Sequence, residues 1–359
     1  MYFRQFPVRR LAAAALLAVA AFSAGCIKVK QERSTARLLA TDTATQAQLV
    51  SEVNRFASVT SMKAKMRFQF EDNSFATAGS KEIYKSADGE LVVQRPNKIL
   101  LRVQVPVIKT DVAQMTSDGT SFRVAVLMDD AGGKYKRFVK GTNAADYSEL
   151  EKKFETADLD DGGKLKKGVN AFKNLRPQHF TDAMLVRPTD EEHVYTMTTI
   201  FQEERDASTT ERSPVREVVR GYYLLDEYAK NDDGSLKIAR RFWFDRVGGI
   251  RLARQQIFDK NDEIESDIVY GKPGVLTGTG NYNNLPLQIT VTRPKEKYAM
   301  TLTYQMPEDV TIGKTYPDKA FVLENSWGLD EVDLDDQLAN TTKPNTAKKE
   351  SQTGASRFQ

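Results

Sequence analysis

The 359-residue sequence is poor in three features on which many protein functions depend. It contains one cysteine and two histidines, so it cannot form an internal disulfide and has few ligands for a zinc site. No segment reaches the roughly 20 consecutive apolar residues that a membrane-spanning helix needs. The sequence therefore argues against a disulfide-stapled scaffold, a zinc enzyme and a protein with helical membrane spans.

The first 25 residues have the composition of an export signal. Arg4, Arg9 and Arg10 form a positively charged start, and the uncharged apolar segment 11–22 follows. This segment is too short to span a bilayer but has the length of the apolar region of a signal peptide. We predict that residues 1–25 are a signal peptide.

The single cysteine, Cys26, directly follows this segment. Ala24, Gly25 and Cys26 resemble a bacterial lipobox, although Ser23 stands where that motif usually has leucine. A lipobox cysteine carries acyl chains, and each buried methylene contributes about 0.8 kcal/mol to membrane anchoring. The alternative is a cleaved signal peptide with a stray cysteine nearby. We favour the lipid anchor, because a lone thiol in an exported protein is otherwise a liability. An aspartate directly after the lipidated cysteine would resemble a signal for retention in the inner membrane, but residue 27 is isoleucine. This favours an outer-membrane lipoprotein that faces the periplasm.

The net charge of the chain belongs to the predicted signal peptide. The sequence has 52 basic and 49 acidic residues, and the three excess positive charges equal the three arginines of residues 1–25. The remaining chain has no surplus of positive charge with which to bind phosphates. We therefore expect no nucleic-acid partner.

The motifs of common enzymes and metal sites are absent. There is no nucleophile elbow, phosphate-binding loop or paired-histidine zinc motif. Segment 158–169 is acidic like a calcium loop, but Val169 occupies the position that requires glutamate. His179 and His193 are interpreted as structural or surface residues. We expect a non-enzymatic protein without catalytic residues, metal or cofactor.

The body of the chain has the pattern of a long series of strands. In 61–72 apolar residues alternate with charged or polar ones over ten positions, which predicts a strand with one apolar face. Short turn segments separate the strands and indicate antiparallel pairing of sequence neighbours. Further strands are predicted at 89–96, 97–106, 117–128, 134–139, 193–202, 216–228, 235–246, 249–260, 263–271, 285–294 and 297–306.

Helical periodicity is found before the first strand and between the two halves. Apolar residues recur on one helical face in 45–59. A helical insert is predicted within 140–187, with segments 145–155, 164–175 and 178–185. The fold class is therefore α+β, a large antiparallel sheet covered by a few helices. A twisted sheet of more than about ten strands tends to curl, which creates a concave face.

In the order of these pieces the sequence resembles the bacterial LolA/LolB-like family of lipoprotein-localisation proteins. The likeness extends over about 45–333, although the insert and the C-terminus are longer than that family suggests. It is carried by the segments FASVTSMKAKMRFQF, VVQRPNKILLRVQVPV, MTSDGTSFRVAV, NLRPQHFTDAML, FWFDRVGGIRLARQQIFDKNDEIESDIVYG and LPLQITVTRPKEKYAMTLTYQ.

The resemblance implies a half-barrel of about eleven strands around an apolar cavity that holds acyl chains of lipids or lipoproteins. Arg240 and Arg254 could face this cavity and meet a polar head group, but we favour the solvent-facing side for each. A plain packed core is the alternative for every apolar residue taken singly. The residues expected to line the cavity are Met62, Met66, Phe68, Phe70, Ile99, Leu101, Val103, Phe122, Val124, Val126, Met300, Leu302 and Tyr304.

The predicted organisation has four parts, namely a signal peptide (1–25), a lipid anchor and tether (26–44), a half-barrel domain (45–334) and a disordered tail (335–359). The predicted function is lipid or lipoprotein traffic at the cell envelope, with the membrane and a hydrophobic ligand as partners. The alternative is an envelope assembly or sensor protein of the same fold that binds a protein partner.

Overall fold

A computed structural model provides the coordinates of the chain. The predicted signal peptide, Cys26 and most of the predicted helical insert lie outside the described residues. The structure describes residues 35–72, 82–83, 86–105, 109–128, 133, 136–147, 150, 176–206, 209–210, 213, 216–276 and 283–342.

The chain divides into two units. The smaller comprises Met1–Leu38 and Glu203–Val219, and the larger comprises Leu39–Gln202 and Arg220–Gln359. In the smaller unit the short strand β1 (Arg37–Leu38) pairs in parallel with residues 218 and 219. The predicted domain boundaries remain predictions.

The larger unit is built on strands whose neighbours in sequence are mostly neighbours in space. The strand order is β9, β10, β11, β12, β13, β14, β15, β2, β4, β5, β6, β7, β8. The long strands are β2 (Ser61–Asp72), β4 (Ala87–Gln94), β5 (Lys98–Gln104), β6 (Asp111–Ser117), β7 (Ser121–Val126), β8 (Arg137–Thr142), β9 (Val194–Arg205), β10 (Glu217–Lys230), β11 (Leu236–Asp245), β12 (Arg251–Phe258), β13 (Ile264–Val275), β14 (Asn283–Arg293) and β15 (Tyr298–Tyr304).

The prediction of a large sheet covered by a few helices is confirmed, with corrections of detail. The described residues form 17 strands in an open sheet, more than the eleven or so expected. Strand β6 was missed, and the remaining extra strands are too short for alternation to reveal them. These are β3 (Glu82–Ile83), β16 (Thr311–Ile312) and β17 (Glu331–Asp333) besides β1. The sheet is mixed, because β1 and β17 pair in parallel with β10 and β8.

Helix α1 (Gln46–Ala57) confirms the helix predicted at 45–59. Thr45 and Gln48 form a capping box, in which the Gln48 N–H donates to Thr45 Oγ1 at 3.3 Å and the Thr45 N–H donates to Gln48 Oε1 at 2.8 Å. This arrangement satisfies two N–H groups that a helix start would leave unpaired. The buried residues of α1 are Leu49, Val53 and Phe56.

Helix α2 (Pro177–Met184) confirms the short helix predicted at 178–185. Pro177 occupies the first helical position, where its missing N–H costs nothing. The helix contacts β4, β5, β6 and β14. It therefore lies across the middle of the sheet. The other predicted helices of the insert lie largely outside the described residues.

Helix α3 (Leu334–Thr342) corrects the prediction that the chain is disordered from residue 335. The Asp333 carboxylate accepts a hydrogen bond from the Asp335 N–H at 3.0 Å, which caps the helix. The Asp335 carboxylate in turn accepts from Thr142 Oγ1 at 2.8 Å. Low apolar content predicted disorder here, but capping and side-chain hydrogen bonds hold the start of the tail. The rest of the tail lies outside the described residues.

Candidate ligand-binding face

The register of the strands places the predicted cavity residues on one face of the sheet. Met66 on β2 lies opposite Tyr304 on β15 and opposite Gly89 on β4, which lies opposite Val103 on β5. Residues directly opposite in paired strands project from the same face. We call the face that carries Met66 the inner face, and the face that carries Lys65 the outer face.

All thirteen predicted cavity residues belong to one hydrophobic cluster. The half-buried members are Phe68, Phe70 and Val126. Whether the set lines a cavity remains a prediction. The buried members are Met62, Met66, Ile99, Leu101, Val103, Phe122, Val124, Met300, Leu302 and Tyr304.

The three half-buried members of the predicted set lie toward one end of the strands. Phe68 is opposite Ala87, the first residue of β4, and Phe70 is further along β2. Val126 is the last residue of β7, opposite Ala113 near the start of β6. Because these strands are antiparallel, the positions fall at the same end of the sheet. We call Phe68, Phe70, Ala87 and Val126 the accessible end of the inner face.

A glycine makes room for an aromatic ring at this end. A Cβ atom added to Gly89 would lie 2.8 Å from the Phe68 ring and 2.2 Å from the backbone oxygen of Arg102. Both separations are shorter than real contacts allow. Only glycine therefore permits the present positions of β4, β5 and the Phe68 side chain.

Tyr304 brings a polar atom into the apolar cluster. Its hydroxyl donates to the Met62 sulfur at 2.8 Å, and a thioether is a weak acceptor. Burial raises the pKa of Tyr304 well above its ordinary value, so the hydroxyl stays neutral. Met62 and Met66 are flexible and polarisable, which suits packing against irregular apolar groups.

The two helices α1 and α2 supply apolar cover for the inner face. On α1 the Phe56 ring lies 5.9 Å from the ring of Tyr270 on β13. On α2 Phe180 and Ala183 are buried in the same hydrophobic cluster. The Tyr270 hydroxyl also donates to the backbone oxygen of Ala183 at 3.2 Å. Both apolar packing and a hydrogen bond thus hold α2 against the sheet.

The inner face of β10 and β11 carries a buried ion pair. Arg240 is 2% exposed and Glu227 is 2% exposed. The Arg240 Nε and Nη2 atoms donate to the two Glu227 carboxylate oxygens at 2.7 and 2.5 Å. The interpretation of Arg240 as a solvent-facing residue is therefore wrong. Alternation predicted an exposed cation, but a bidentate carboxylate partner allows the guanidinium to be buried.

Arg254 has the solvent-facing position that the sequence favoured. Its guanidinium donates to the Asp267 carboxylate, with the Nε–Oδ1 bond at 2.6 Å. It also stacks over the Trp243 ring, with the guanidinium carbon 5.0 Å from the ring centre. The Arg254 side chain retains 31% exposure. Arg240 and Arg254 thus differ in which face of the sheet they occupy.

Two arginines hold the backbone that follows α2. Arg95 donates through Nη1 to the oxygen of Leu185 at 3.5 Å and through Nη2 to that of Val186 at 2.7 Å. Arg240 donates to the oxygens of Arg187 at 2.8 Å and Pro188 at 3.0 Å. Four successive carbonyl groups are therefore bound by side chains from the sheet and its connections. We call residues 185–188 the clamped segment.

Residues at and just before the start of β9 add further polar contacts around Glu227. Tyr195 donates to Glu227 Oε2 at 3.0 Å, and burial raises the pKa of Tyr195 to about 12. His193 Nδ1 lies 2.6 Å from Asp190 Oδ1, and this contact lowers the pKa of Asp190. His193 is half-buried. It holds the turn before β9, and its Nε2 atom lies 4.0 Å from Glu227 Oε1.

His179 is a buried residue of the inner face. It is 1% exposed, and its Nδ1 atom is hydrogen-bonded to the Tyr298 hydroxyl. Burial, followed by the charges of Arg293 and Arg176, holds the pKa of His179 well below its usual range. Its Nε2 atom is buried and has no hydrogen-bond partner. From the sequence, His179 was interpreted as a structural or surface residue, because a single histidine gives no sign of its partner in the folded protein.

The structure shows no metal-binding cluster and no membrane-spanning helix within the ranges that it describes. Histidine, cysteine, aspartate and glutamate do not gather in threes there in a metal-binding arrangement. Each of the described helices is too short or too polar to cross a bilayer. The expected absence of catalytic residues remains an expectation.

The sequence matches no family model and no curated protein. Solved structures similar to this chain include a DUF1329 family protein from Desulfovibrio piger, with 12% identity, a TM-score of 0.38 and coverage of 78% of this chain and 96% of that one. A LolA superfamily protein from Nitrosomonas europaea has 9% identity, a TM-score of 0.38 and coverage of 78% and 99%. A putative outer membrane lipoprotein-sorting protein domain from Vibrio parahaemolyticus has 9% identity, a TM-score of 0.38 and coverage of 76% and 94%. At such TM-scores these structures add no argument about function.

Proposed function

We propose that this protein binds acyl chains of lipids or lipoproteins on the inner face of its sheet, as a non-enzymatic component of lipid or lipoprotein traffic. The observation that carries this proposal is the apolar inner face of β2 and β4–β8, which has half-buried apolar residues at its accessible end. Acyl chains would enter there, at Phe68, Phe70, Ala87 and Val126. We further propose that Cys26 carries the lipid that anchors the chain to the outer membrane, facing the periplasm.

The energetics of the inner face favour an apolar ligand. Each Å² of apolar surface removed from water contributes about 25 cal/mol, or about 0.8 kcal/mol for each methylene. Methionine and aromatic side chains adapt to flexible chains, and pockets of this kind hold few polar groups. Met62, Met66 and Tyr304 have these properties. The cover would adjust around the ligand while the clamped segment stays bound to Arg95 and Arg240.

The test is native mass spectrometry of the full chain with Cys26→Ser, after export in a bacterial host. This substitution removes the proposed site of lipidation, so any lipid-sized mass that dissociates on denaturation is bound ligand. We expect such a mass and its identification as an acyl lipid after extraction. A clean ligand-free mass, with no uptake from added lipid, would contradict the proposal and favour the assembly or sensor function.

A matched pair of neighbouring substitutions tests the location. Phe68→Glu places a carboxylate at the accessible end of the inner face, where it should abolish lipid loading. Gln69→Glu places the same charge on the outer face and should leave loading unchanged. Phe68→Leu keeps the site apolar and controls for loss of the ring. Equal loading in all three folded variants would contradict the assigned face.

The anchor needs a separate measurement. The mass of the wild-type chain from a membrane extract should exceed that of the unmodified chain by a diacylglyceryl group and one further acyl group. The Cys26→Ser chain should lack this increase. An unmodified Cys26 in a correctly cleaved chain would contradict the anchor and leave the ligand proposal intact.

A further inference from the structure

His179, Tyr298 and Arg293 form a buried polar cluster in which two nitrogen atoms have no hydrogen-bond partner. The Tyr298 hydroxyl is bonded to His179 Nδ1, and Tyr298 is the cross-strand partner of Arg293 on β14. His179, Tyr298 and Arg293 are each less than one-tenth exposed. Yet His179 Nε2 and Arg293 Nε are buried without hydrogen-bond partners. The two residues that adjoin Tyr298 thus each have one buried nitrogen atom without a hydrogen-bond partner.

The protonation of His179 makes its free atom a donor. The ring is neutral at neutral pH, because burial and the nearby Arg293 charge lower its pKa. A neutral imidazole carries one proton. The bond between Tyr298 and Nδ1 fits either direction. Because a phenol is the better donor and an imidazole nitrogen the better acceptor, we assign the hydroxyl as the donor, which places the imidazole proton on Nε2. The Arg293 Nε atom is always protonated. Both unsatisfied groups are therefore N–H donors that lack an oxygen acceptor.

The charges around the donors favour a neutral acceptor over an anion. Arg293 Nη2 already donates to Glu296 at 2.6 Å and to Glu265 at 3.2 Å. Asp182, one turn after His179 on α2, is a further half-buried carboxyl group. Its pKa is raised by burial. The Arg293 charge thus already has carboxylate partners, and burying a further charge without a partner is costly.

We propose that the two N–H groups bind ester carbonyl oxygens of the ligand, so that the protein takes esterified acyl chains in preference to free fatty acids. This inference rests on the proposed function and specifies its ligand class. A buried donor left without a partner is unfavourable, and an ester carbonyl would supply the missing acceptor. The apolar inner face would then hold the chains, and His179 and Arg293 would fix the end at which they are esterified.

The experiment compares three probes, of which the first two differ only in the ester carbonyl groups and the third is a free acid with a single chain. They are 1,2-dioctanoylglycerol, its ether analogue 1,2-di-O-octylglycerol, and octanoic acid, each titrated into the full Cys26→Ser chain at neutral pH. We expect the diester to bind about tenfold more tightly than the diether, as one recovered buried donor predicts. Equal affinities of diester and diether would overturn the inference. Tighter binding of the acid than of the diester would do so too.

Two substitutions of the same histidine make the test specific. His179→Asn keeps an acceptor near the Nδ1 position for Tyr298 but removes the Nε2 donor, so the preference for the diester should disappear. His179→Gln places an amide N–H near the Nε2 position and should keep most of the preference. If both variants retain it fully, the carbonyl is bound elsewhere and the inference is wrong.

The same titrations distinguish failure of the proposed acyl-chain binding from failure of the ester preference. If neither the diester nor the diether binds to the wild-type face, the acyl-chain proposal fails. If both bind equally, acyl binding stands and only the ester site is lost. Should the histidine variants fail to fold, the diester-to-diether ratio of the unsubstituted protein still decides.

Discussion

The two halves of the sheet have the same alternating sequence pattern but different inner faces. In β2 and β4–β8, which we call the apolar half, the inner positions are occupied mainly by aliphatic, methionine and phenylalanine side chains. In β10–β14, the polar half, the inner face also carries Glu227, Arg240, Gln255 and Arg293, all buried. The polar half binds the clamped segment through Arg240, whereas the apolar half supplies most of the proposed ligand surface. The polar half thus contributes buried ion pairs and polar contacts, and the apolar half carries most of the surface that we propose for the ligand.

The largest expected effect comes from breaking the buried ion pair of the polar half. Arg240→Met leaves Glu227 buried without its partner, so the free energy of unfolding should fall by about 3–5 kcal/mol. It is measured by urea denaturation. Arg67→Met is the control, since Arg67 pairs with Asp88 at 3.4 Å with its side chain 58% exposed, and its loss should cost less than about 1 kcal/mol.

A double substitution separates the pair from its surroundings. Arg240→Met with Glu227→Met should recover much of the lost stability, because no charge then remains buried alone. A loss in Arg240→Met no greater than in Arg67→Met would show that the polar half does not depend on this pair.

The apolar half should respond to lost volume. Leu101→Ala removes a fully packed side chain from the inner face and should lower the free energy of unfolding by about 2–5 kcal/mol. Arg102→Ala, at the next and exposed position of β5, should stay within about 0.5 kcal/mol. Similar losses at both positions would contradict the assignment of the two faces.

The smallest expected effect is a pH dependence of the free energy of unfolding that arises from His179. Because the folded pKa of His179 lies below its unfolded value, below about pH 6.5 the unfolded chain binds a proton that the folded chain does not. Stability should therefore fall as the pH drops, by at most about 1.4 kcal/mol per pH unit. His179→Gln lacks this proton, so its stability should fall less over the same range. Identical pH profiles would show that His179 is not held neutral.

Alternation located the apolar half well, because a half-buried strand must separate its apolar and charged residues. Met62, Met66, Leu101 and Leu302 lie on the face that the pattern predicted. Strand β6 was missed because its polar residues at 114, 116 and 117 blur the alternation, although two of them are buried. The same limitation misplaced Arg240, since a pattern of residue types treats every cation as solvated.

By itself the sequence determined the class of fold, the apolar face and the first helix, since these depend on residues two to four positions apart. Tertiary structure alone decided where the buried polar groups lie. Glu227 stands next to Arg240 because of strand register, and His179 meets Tyr298 across 119 positions of the chain. A buried charge or imidazole is tolerable only beside its partner. That partner is set by folding and cannot be read from neighbouring residues.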